Sequence, residues 1–200
     1  LLAFGSMLGS WTFLLVSGRR MSNLDARDAH PLWQFSLAVY AMPDVQAECL
    51  QLQNAHGIDV NVLLYCAWVG ACGCRSLTSK DIARARKAVE AWHSDVVQPL
   101  RAARKEAKRL AADAISVRTA ITAAELAAER VEQDILFVLA PPANQADRDF
   151  ARDCVRCNIG LLLAHAGTGD SPFPQALAAA TLTYAQNNAP CAPSPHRQSE

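Results

Sequence analysis

The sequence lacks an excess of charge of either sign, since 19 basic side chains face 19 acidic ones among its 200 residues. A chain without net charge has no whole-molecule attraction to nucleic acid or to an anionic membrane, so such binding would need a local patch. The sequence also contains no phosphate-binding P-loop, GxGxxG fingerprint, HExxH motif, GxSxG elbow or DDxxD-like acidic cluster. These absences make a familiar enzyme class less expected, without excluding catalysis.

Strand-like alternation of apolar and polar residues is missing as well, and no internal repeat occurs. Hydrophobic residues make up 51% of the chain, which excludes wholesale disorder, and 200 residues suffice for one domain with a real core. Helical periodicity and long stretches without glycine or proline then predict the fold class. We expect an all-α, single-domain bundle of about six or seven helices, with a long kinked helix and an antiparallel helical hairpin.

The two ends of the chain differ from its middle. Residues 1–18 are uncharged and rich in glycine and serine, and they match neither a signal peptide nor a typical membrane span. We interpret residues 1–20 as upstream translation ahead of a native start at Met21; the alternative is an N-terminal anchor with Arg19 and Arg20 on the cytoplasmic side. The helical domain is expected over residues 21–187, followed by a disordered tail over 188–200.

Local signals mark where the helices begin and end. Pro31 suits the first turn of a helix over 31–40, and Gly57 is typical of a helix end. Asp59 is placed to cap residues 60–71, which are apolar nearly all round and therefore belong in the core. The segment Thr78 to Asp81 reads as a capping box for a long helix, which Pro99 must end or kink.

Residues 100–140 contain twelve alanines and neither glycine nor proline, so they favour one long helix or a hairpin of two. A weak helical patch and a second capping box, Thr122 with Glu125, place a turn near residues 113–121. Two more helices are expected over 145–165 and 174–187. The predicted apolar stripes are Ala124, Ala128, Val131, Ile135 and Val138 on the second hairpin helix, and Phe150, Cys154, Cys157 and Leu161 on the next.

The densest polar cluster within an apolar region is His56, Asp59 and Asn61, at the junction of two core helices. If these side chains converge on a cavity, His56 can shuttle a proton or bind an anion while Asp59 orients its ring. The structural interpretation is that Asp59 caps a helix, Asn61 holds loop backbone and His56 bonds a carbonyl. Aromatic side chains that would wall such a pocket are Trp33, Tyr65 and Trp68.

The seven cysteines are an odd number in a chain too large to need disulfides, so we expect reduced thiols in the cytoplasm. Four of them would suffice for a tetrahedral zinc site if they met. A CxC and a CxxC some eighty residues apart are not a typical zinc-binding pair, and the sequence predicts no metal or other cofactor. These four are Cys72, Cys74, Cys154 and Cys157.

A basic helix face follows Pro99, and three interpretations stay open: an ordinary solvated face, a binding surface for phosphates or an acidic partner, and pairing within the chain. In a hairpin centred near residue 115, Arg101 stands opposite Glu129 and Lys105 opposite Glu125. The apolar stripe of this helix, formed by Leu100, Ala103, Ala107 and Leu110, nevertheless predicts that Arg101 points outward. No aromatic residues interleave with the cations, which disfavours single-stranded nucleic acid. The face comprises Arg101, Arg104, Lys105, Lys108 and Arg109.

Several separated motifs carry a resemblance: residues 32–40 (LWQFSLAVY), 49–53 (CLQLQ), 56–61 (HGIDVN), 63–70 (LLYCAWVG), 92–101 (WHSDVVQPLR) and 125–132 (ELAAERVE). Together they resemble a bacterial, chiefly proteobacterial, family of small conserved hypothetical proteins, a domain of unknown function. The resemblance spans about residues 31–139 and implies a cytoplasmic, all-helical domain that begins near Met21. It brings no activity, cofactor or catalytic residue with it.

Three functional hypotheses follow. The first is a non-enzymatic module that docks an unidentified cytoplasmic protein through the basic face or the turn from His56 to Asn61. The second is a small-molecule-binding protein or an enzyme that uses this turn. The third is nucleic-acid binding through residues 101–109. No membrane contact is expected if Met21 is the start.

Overall fold

The computed structural model describes residues 30–110, 113–144, 148–168 and 171–188. Within these ranges every regular element is helical, which confirms the predicted all-α bundle. The elements are α1 (Pro31–Tyr40), α2 (Val45–His56), α3 (Val60–Ala71), α4 (Ser79–Trp92), a π-helical segment (His93–Val97), α5 (Gln98–Leu110), α6 (Ile115–Val138), α7 (Arg148–His165) and α8 (Gln175–Asn187). The expected leader, the start at Met21 and the tail after residue 188 lie outside the described residues.

Helix α3 forms the centre of the core, as its composition predicts. Every residue from Val60 to Ala71 is buried, and α1, α2, α7 and α8 contribute side chains to the same core. The contact with α7 is especially close. A Cβ atom on Gly70 would lie 2.7 Å from the backbone of Val155, so only glycine permits this crossing.

The local signals for helix ends are confirmed. Pro31 occupies the first turn of α1, and Gly57 ends α2 in the left-handed region with φ 65°. The side chain of Thr78 accepts a hydrogen bond from the Asp81 N–H, and Asp81 accepts one in return from the Thr78 N–H.

The long kinked helix is confirmed, and its kink has a definite form. Between α4 and α5 the backbone adopts a π-helical turn, in which the Gln98 N–H donates to the His93 carbonyl. Pro99 follows at once and has no N–H to donate to the carbonyl of Asp95, so an ordinary α-helical hydrogen bond is impossible there. The π turn thus lies where proline removes a donor.

Helices α5 and α6 form the hairpin, with the turn at residues 113–114 near the start of the predicted region. One prediction about α6 is wrong and another is only partly correct. Thr122 caps no helix, because its hydroxyl donates to the Arg118 carbonyl within α6 at 2.8 Å. Of the predicted apolar stripe, Ala128 is buried, but Val131 and Val138 are exposed. The buried face carries Glu125, Ala128, Glu129, Glu132, Gln133 and Leu136.

The stripe predicted for α7 is only partly correct. Cys154 is buried, but Phe150 and Cys157 are exposed. The side of α7 that faces the core is the side that packs on α3. Its buried residues include Ala151, Cys154, Val155, Asn158, Ile159, Leu162 and Leu163.

Among the described residues, no helix has both the length and the apolarity needed to cross a membrane.

Candidate functional site

Asp59 occupies the start of α3 and uses its two carboxylate oxygens differently. Oδ1 accepts the backbone N–H of Asn61 at 2.8 Å, which confirms the predicted capping role. Oδ2 lies 3.2 Å from Nδ1 of His93. The histidine that faces Asp59 is therefore His93, not His56 as the sequence suggested.

His93 is the first residue of the π-helical segment. Its Nδ1 lies 3.0 Å from Oε1 of Glu132 as well as close to Asp59, so one ring nitrogen faces two carboxylates. We call Asp59, His93 and Glu132 the acid–histidine cluster. It joins residues that are far apart in the chain, and it is the one group of three or more potential metal ligands among the described residues.

Glu132 is fully buried on α6, and neighbouring amides hold it in place. Its Oε2 accepts a hydrogen bond from Asn61 Nδ2 at 2.8 Å, and Gln133 Nε2 donates to Asn61 Oδ1 at 2.8 Å. The prediction that the Asn61 side chain holds loop backbone is wrong. It joins α3 to α6 instead.

Two members of the cluster, Asp59 and His93, retain their protons at higher pH than the same groups do in water. Burial raises the pKa of Asp59 to about 8, with a further contribution from the charge and hydrogen bond of Glu132, while His93 opposes the shift. Burial alone would lower the pKa of His93, but Glu132 and Asp59 outweigh it and the pKa is raised. Groups that exchange protons near neutral pH suit acid–base chemistry, and the same atoms are suitable ligands for a cation.

A second set of buried charges continues along α6. Arg101 donates from Nη2 to Glu129 Oε1 at 2.8 Å and from Nε to Glu125 Oε1 at 3.3 Å. Arg104 also pairs with Glu125, which is buried. The Glu129 Oε2 atom has no hydrogen-bond partner among the described residues. Burial raises the pKa of Glu129 to about 7 although Arg101 lowers it.

These contacts correct the view of the basic face after Pro99. Arg101 does not point outward, because only 14% of its side chain is exposed and it pairs with Glu129 as the hairpin predicts. Arg104 rather than Lys105 takes the place opposite Glu125, and Lys105 is exposed. Arg109 pairs with Glu106 within α5. Because α5 has no fully buried residue, its contact with α6 depends on the ion pairs of Arg101 and Arg104. The five cations therefore do not form one surface.

A polar cavity of about 500 Å³ lies between the turn after α2, helix α4 with the π-helical segment, and the end of α7. His56 and Asp59 both line it, as the second hypothesis requires, and the His56 ring is hydrogen-bonded to the hydroxyl of Ser171. The predicted aromatic walls are wrong, since Trp33, Tyr65 and Trp68 are buried in the core and do not line this cavity. Polar residues on its wall include His56, Asp59, Arg86, His93, Gln98 and His165.

The four cysteines considered for zinc do not form a ligand group. Cys154 is buried beside the Ser76 hydroxyl, with Sγ and Oγ 3.4 Å apart, whereas Cys157 is exposed. No cluster of three potential ligands in the described ranges includes Cys72 or Cys74. The four-thiol zinc site is therefore not assembled by this fold.

Sequence reasoning identified Asp59 and Asn61 but missed their partners His93 and Glu132. One available signal was the spacing of Glu125, Glu129 and Glu132, which places three carboxylates on one face of α6. From the sequence, this face is expected only as a possible partner for the cations that follow Pro99 in the predicted hairpin. Nothing local indicated that His93 would turn toward the same interior.

Fold and site together define an all-helical protein with a buried ionisable cluster beside a polar cavity. The chain belongs to the family described as "Protein of unknown function (DUF2390)", whose model matches residues 31–136. This confirms the resemblance to a domain of unknown function. Among curated proteins and among solved structures, none matches the chain.

Proposed function

We propose that the protein binds a small anionic molecule, bearing a carboxylate or phosphate group, in the polar cavity. The observation that carries this proposal is the Arg86 guanidinium, which has no carboxylate partner among the described residues, at the wall of a cavity of about 500 Å³. Cavities of a few hundred cubic ångströms with a few converging polar groups are typical small-molecule sites. Ionisable groups with displaced pKa values in such a cleft favour a functional role.

The charge around the cavity supports an anionic ligand. Arg86 donates only one long hydrogen bond of 3.4 Å, to the His165 carbonyl, and no carboxylate among the described residues lies within 4 Å of its guanidinium. Lys87 by contrast pairs with Glu90 at 2.7 Å. Arg86, with His56 and His165 nearby on the wall, therefore provides positive charge and donors for a carboxylate or phosphate.

Titration of the full chain by nuclear magnetic resonance, with inorganic phosphate and succinate as probes, tests this proposal. We expect saturable shifts of side-chain signals from Arg86, His56 and His165. Arg86→Gln should weaken binding at least about tenfold, because it removes a charge-assisted hydrogen bond. Arg84→Gln is the matched control, since Arg84 is an exposed arginine of α4 that does not line the cavity.

The proposal fails if neither probe saturates below about 10 mM, or if Arg84→Gln weakens binding as much as Arg86→Gln does. Saturation by phosphate alone supports a phosphate-bearing ligand. Saturation by succinate alone supports a carboxylate.

A second candidate function is docking of another protein, as the first hypothesis held, but at a different surface. Leu110, Ile115 and Val117 lie at the hairpin end of α5 and α6 and are exposed to 67%, 68% and 53%. Apolar residues grouped on a surface are typical of interaction sites. A photo-crosslinker at residue 117 should capture a specific partner in cells that the same group at the exposed Lys105 does not; equal capture would contradict this candidate.

The location proposed for either function is the cytoplasm. The described cysteines form no disulfide, which supports a reducing compartment. Nucleic-acid binding through residues 101–109 is the least supported alternative, because the guanidinium groups of Arg101 and Arg104 are engaged with buried glutamates.

A further inference from the structure

We propose that the acid–histidine cluster is a binding site for a divalent transition-metal ion of the zinc or manganese class, held by Asp59 Oδ2, His93 Nδ1 and Glu132 Oε1. The inference deepens the proposed function, because a metal open to the polar cavity would help to hold the anion. It goes against the sequence-based expectation of no metal. Its test uses the metal alone and so stands apart from anion binding.

The spacing of the three atoms fits such an ion. Nδ1 of His93 lies 3.2 Å from Asp59 Oδ2 and 3.0 Å from Glu132 Oε1, and all three ligand atoms lie within 4.8 Å of one another. Ligands about 2.1 Å from a metal and at right angles to each other are about 3.0 Å apart. One imidazole with two carboxylates is a donor set for zinc or manganese.

Neighbouring groups already orient the donors. The backbone N–H of Asn61 holds Oδ1 of Asp59, and the Asn61 side chain holds Oε2 of Glu132. Each carboxylate is thereby turned so that its other oxygen faces His93. Gln133 fixes the Asn61 amide in turn. Hydrogen bonds of this kind, made by atoms that do not bind the metal, are the usual means by which proteins orient metal ligands.

The charges in this part of the interior independently favour a cation. Four largely buried carboxyl groups lie here: Asp59 and Glu132 face His93, whereas Glu125 and Glu129 pair with the guanidinium groups of Arg101 and Arg104. When these carboxyl groups have lost their protons and the imidazole is neutral, two negative charges have no counterion among these side chains, and one divalent ion would take the place of two protons. The buried Oε2 of Glu129, which no hydrogen bond satisfies, belongs to the same set.

The cluster is also accessible. The side chains of Asp59 and His93 are 17% and 15% exposed, and both line the polar cavity. An ion held by three protein atoms would keep open positions on that side, as catalytic metal sites do.

Titration of the chelator-treated, full-length protein with Mn²⁺ tests the inference. Mn²⁺ is chosen because thiolates, which would compete for zinc, are poor ligands for it. Electron paramagnetic resonance should show one bound ion per chain, and the amide signals of Asn61, His93 and Ser94 should broaden first. Zn²⁺ should displace the bound Mn²⁺.

Two variants and a control make the result specific. His93→Gln and Asp59→Asn should each weaken Mn²⁺ binding by at least about tenfold, which is the smaller loss expected even when a residue that only orients a metal ligand is changed. Asparagine caps helices as well as aspartate, so Asp59→Asn keeps the start of α3 and removes only the ligand charge. Glu90→Gln, which removes an exposed carboxyl group of the same cavity outside the cluster, should bind Mn²⁺ as the wild type does.

Absence of saturable Mn²⁺ binding overturns the inference, and so does equal affinity in a folded Asp59→Asn variant. Broadening centred on exposed acidic residues overturns it as well. Phosphate binding without Mn²⁺ binding would leave the proposed function standing and refute the metal site. Mn²⁺ binding without phosphate or succinate binding would do the reverse.

Discussion

At the scale of single residues, Asn61 decides how the site is assembled. Its backbone N–H donates a hydrogen bond to the Asp59 carboxylate, its side-chain amide donates to Glu132, and its side-chain carbonyl accepts from Gln133. Because Asn61 is buried, each of these bonds replaces one with water, and loss of any would leave a polar group unsatisfied. One residue thereby sets the position of two carboxylates.

Glu129 gives a pH prediction of definite sign. Burial raises its pKa from 4.5 to about 7 against the pull of Arg101, with smaller contributions from Glu125 and Asp59. The stabilising effect of its protonated form is complete below about pH 4.5 and is lost as the pH rises through 7. Glu129→Gln keeps the neutral form at every pH, so between pH 5 and 8 it should lose up to about 2 kcal/mol less stability than the wild type.

Urea denaturation in chelator at pH 5 and pH 8 measures this difference. Glu106→Gln serves as the control, because Glu106 is exposed and pairs only within α5. An equal change of unfolding free energy in wild type and Glu129→Gln would show that Glu129 is ionised in the folded protein at both pH values.

At the scale of elements, α6 shows why polarity patterns can mislead. Its apolar residues Val131 and Val138 are exposed, while Glu125 and Glu132 are almost completely buried. The buried face is acidic because α5 brings two arginines and the π-helical segment brings a histidine against it. Hydrophobic periodicity assigns the apolar side of a helix to the core. It cannot show that another helix supplies charged partners for the polar side.

The crossing of α3 and α7 gives a prediction for a pair of glycines. Gly70→Ala would place Cβ 2.7 Å from the backbone of Val155, so the helices must separate and the free energy of unfolding should fall by about 2 to 3 kcal/mol. Gly160→Ala on α7 meets no atom within 4 Å and should instead stabilise the protein by up to about 1 kcal/mol.

Chemical denaturation of both variants checks this pair. Similar stabilities for Gly70→Ala and wild type would mean that the two helices do not approach so closely. Destabilisation by Gly160→Ala would show a contact on its open side.

At the scale of the whole molecule, stability is distributed unevenly. Every residue of α3 is buried, whereas α5 buries none and is held to α6 chiefly by the ion pairs of Arg101 and Arg104. Regions with few buried apolar contacts open without global unfolding. Helix α5 is thus held in place by charge and hydrogen bonding more than by apolar packing.

Hydrogen exchange should show this difference directly. We expect amides in the middle of α5 to exchange roughly a hundredfold or more faster than those in the middle of α3. Mass spectrometry of exchanged peptides makes the comparison within one sample. Equal protection of the two helices would contradict the expected independent opening of α5.

The sequence by itself determined the all-helical fold and most helix boundaries, because these depend on local chemistry. Pro31 begins α1, Gly57 ends α2, Asp59 caps α3 and the Thr78 hydroxyl caps α4, each through contacts within a few residues. The central place of α3 also follows from its composition alone. Asp59 of the acid–histidine cluster, and Asn61 that orients it, were identifiable in the sequence as polar groups in an apolar stretch.

Only the tertiary structure decided which residues face one another in the interior. His93 and Glu132 are 34 and 73 positions after Asp59, and their meeting depends on the π-helical turn and on the hairpin register. Burial of Glu125 and Glu129 required the arginines of α5 to be in place. A carboxylate enters a core only where an opposite charge or a proton is supplied, and that supply comes from distant parts of the chain.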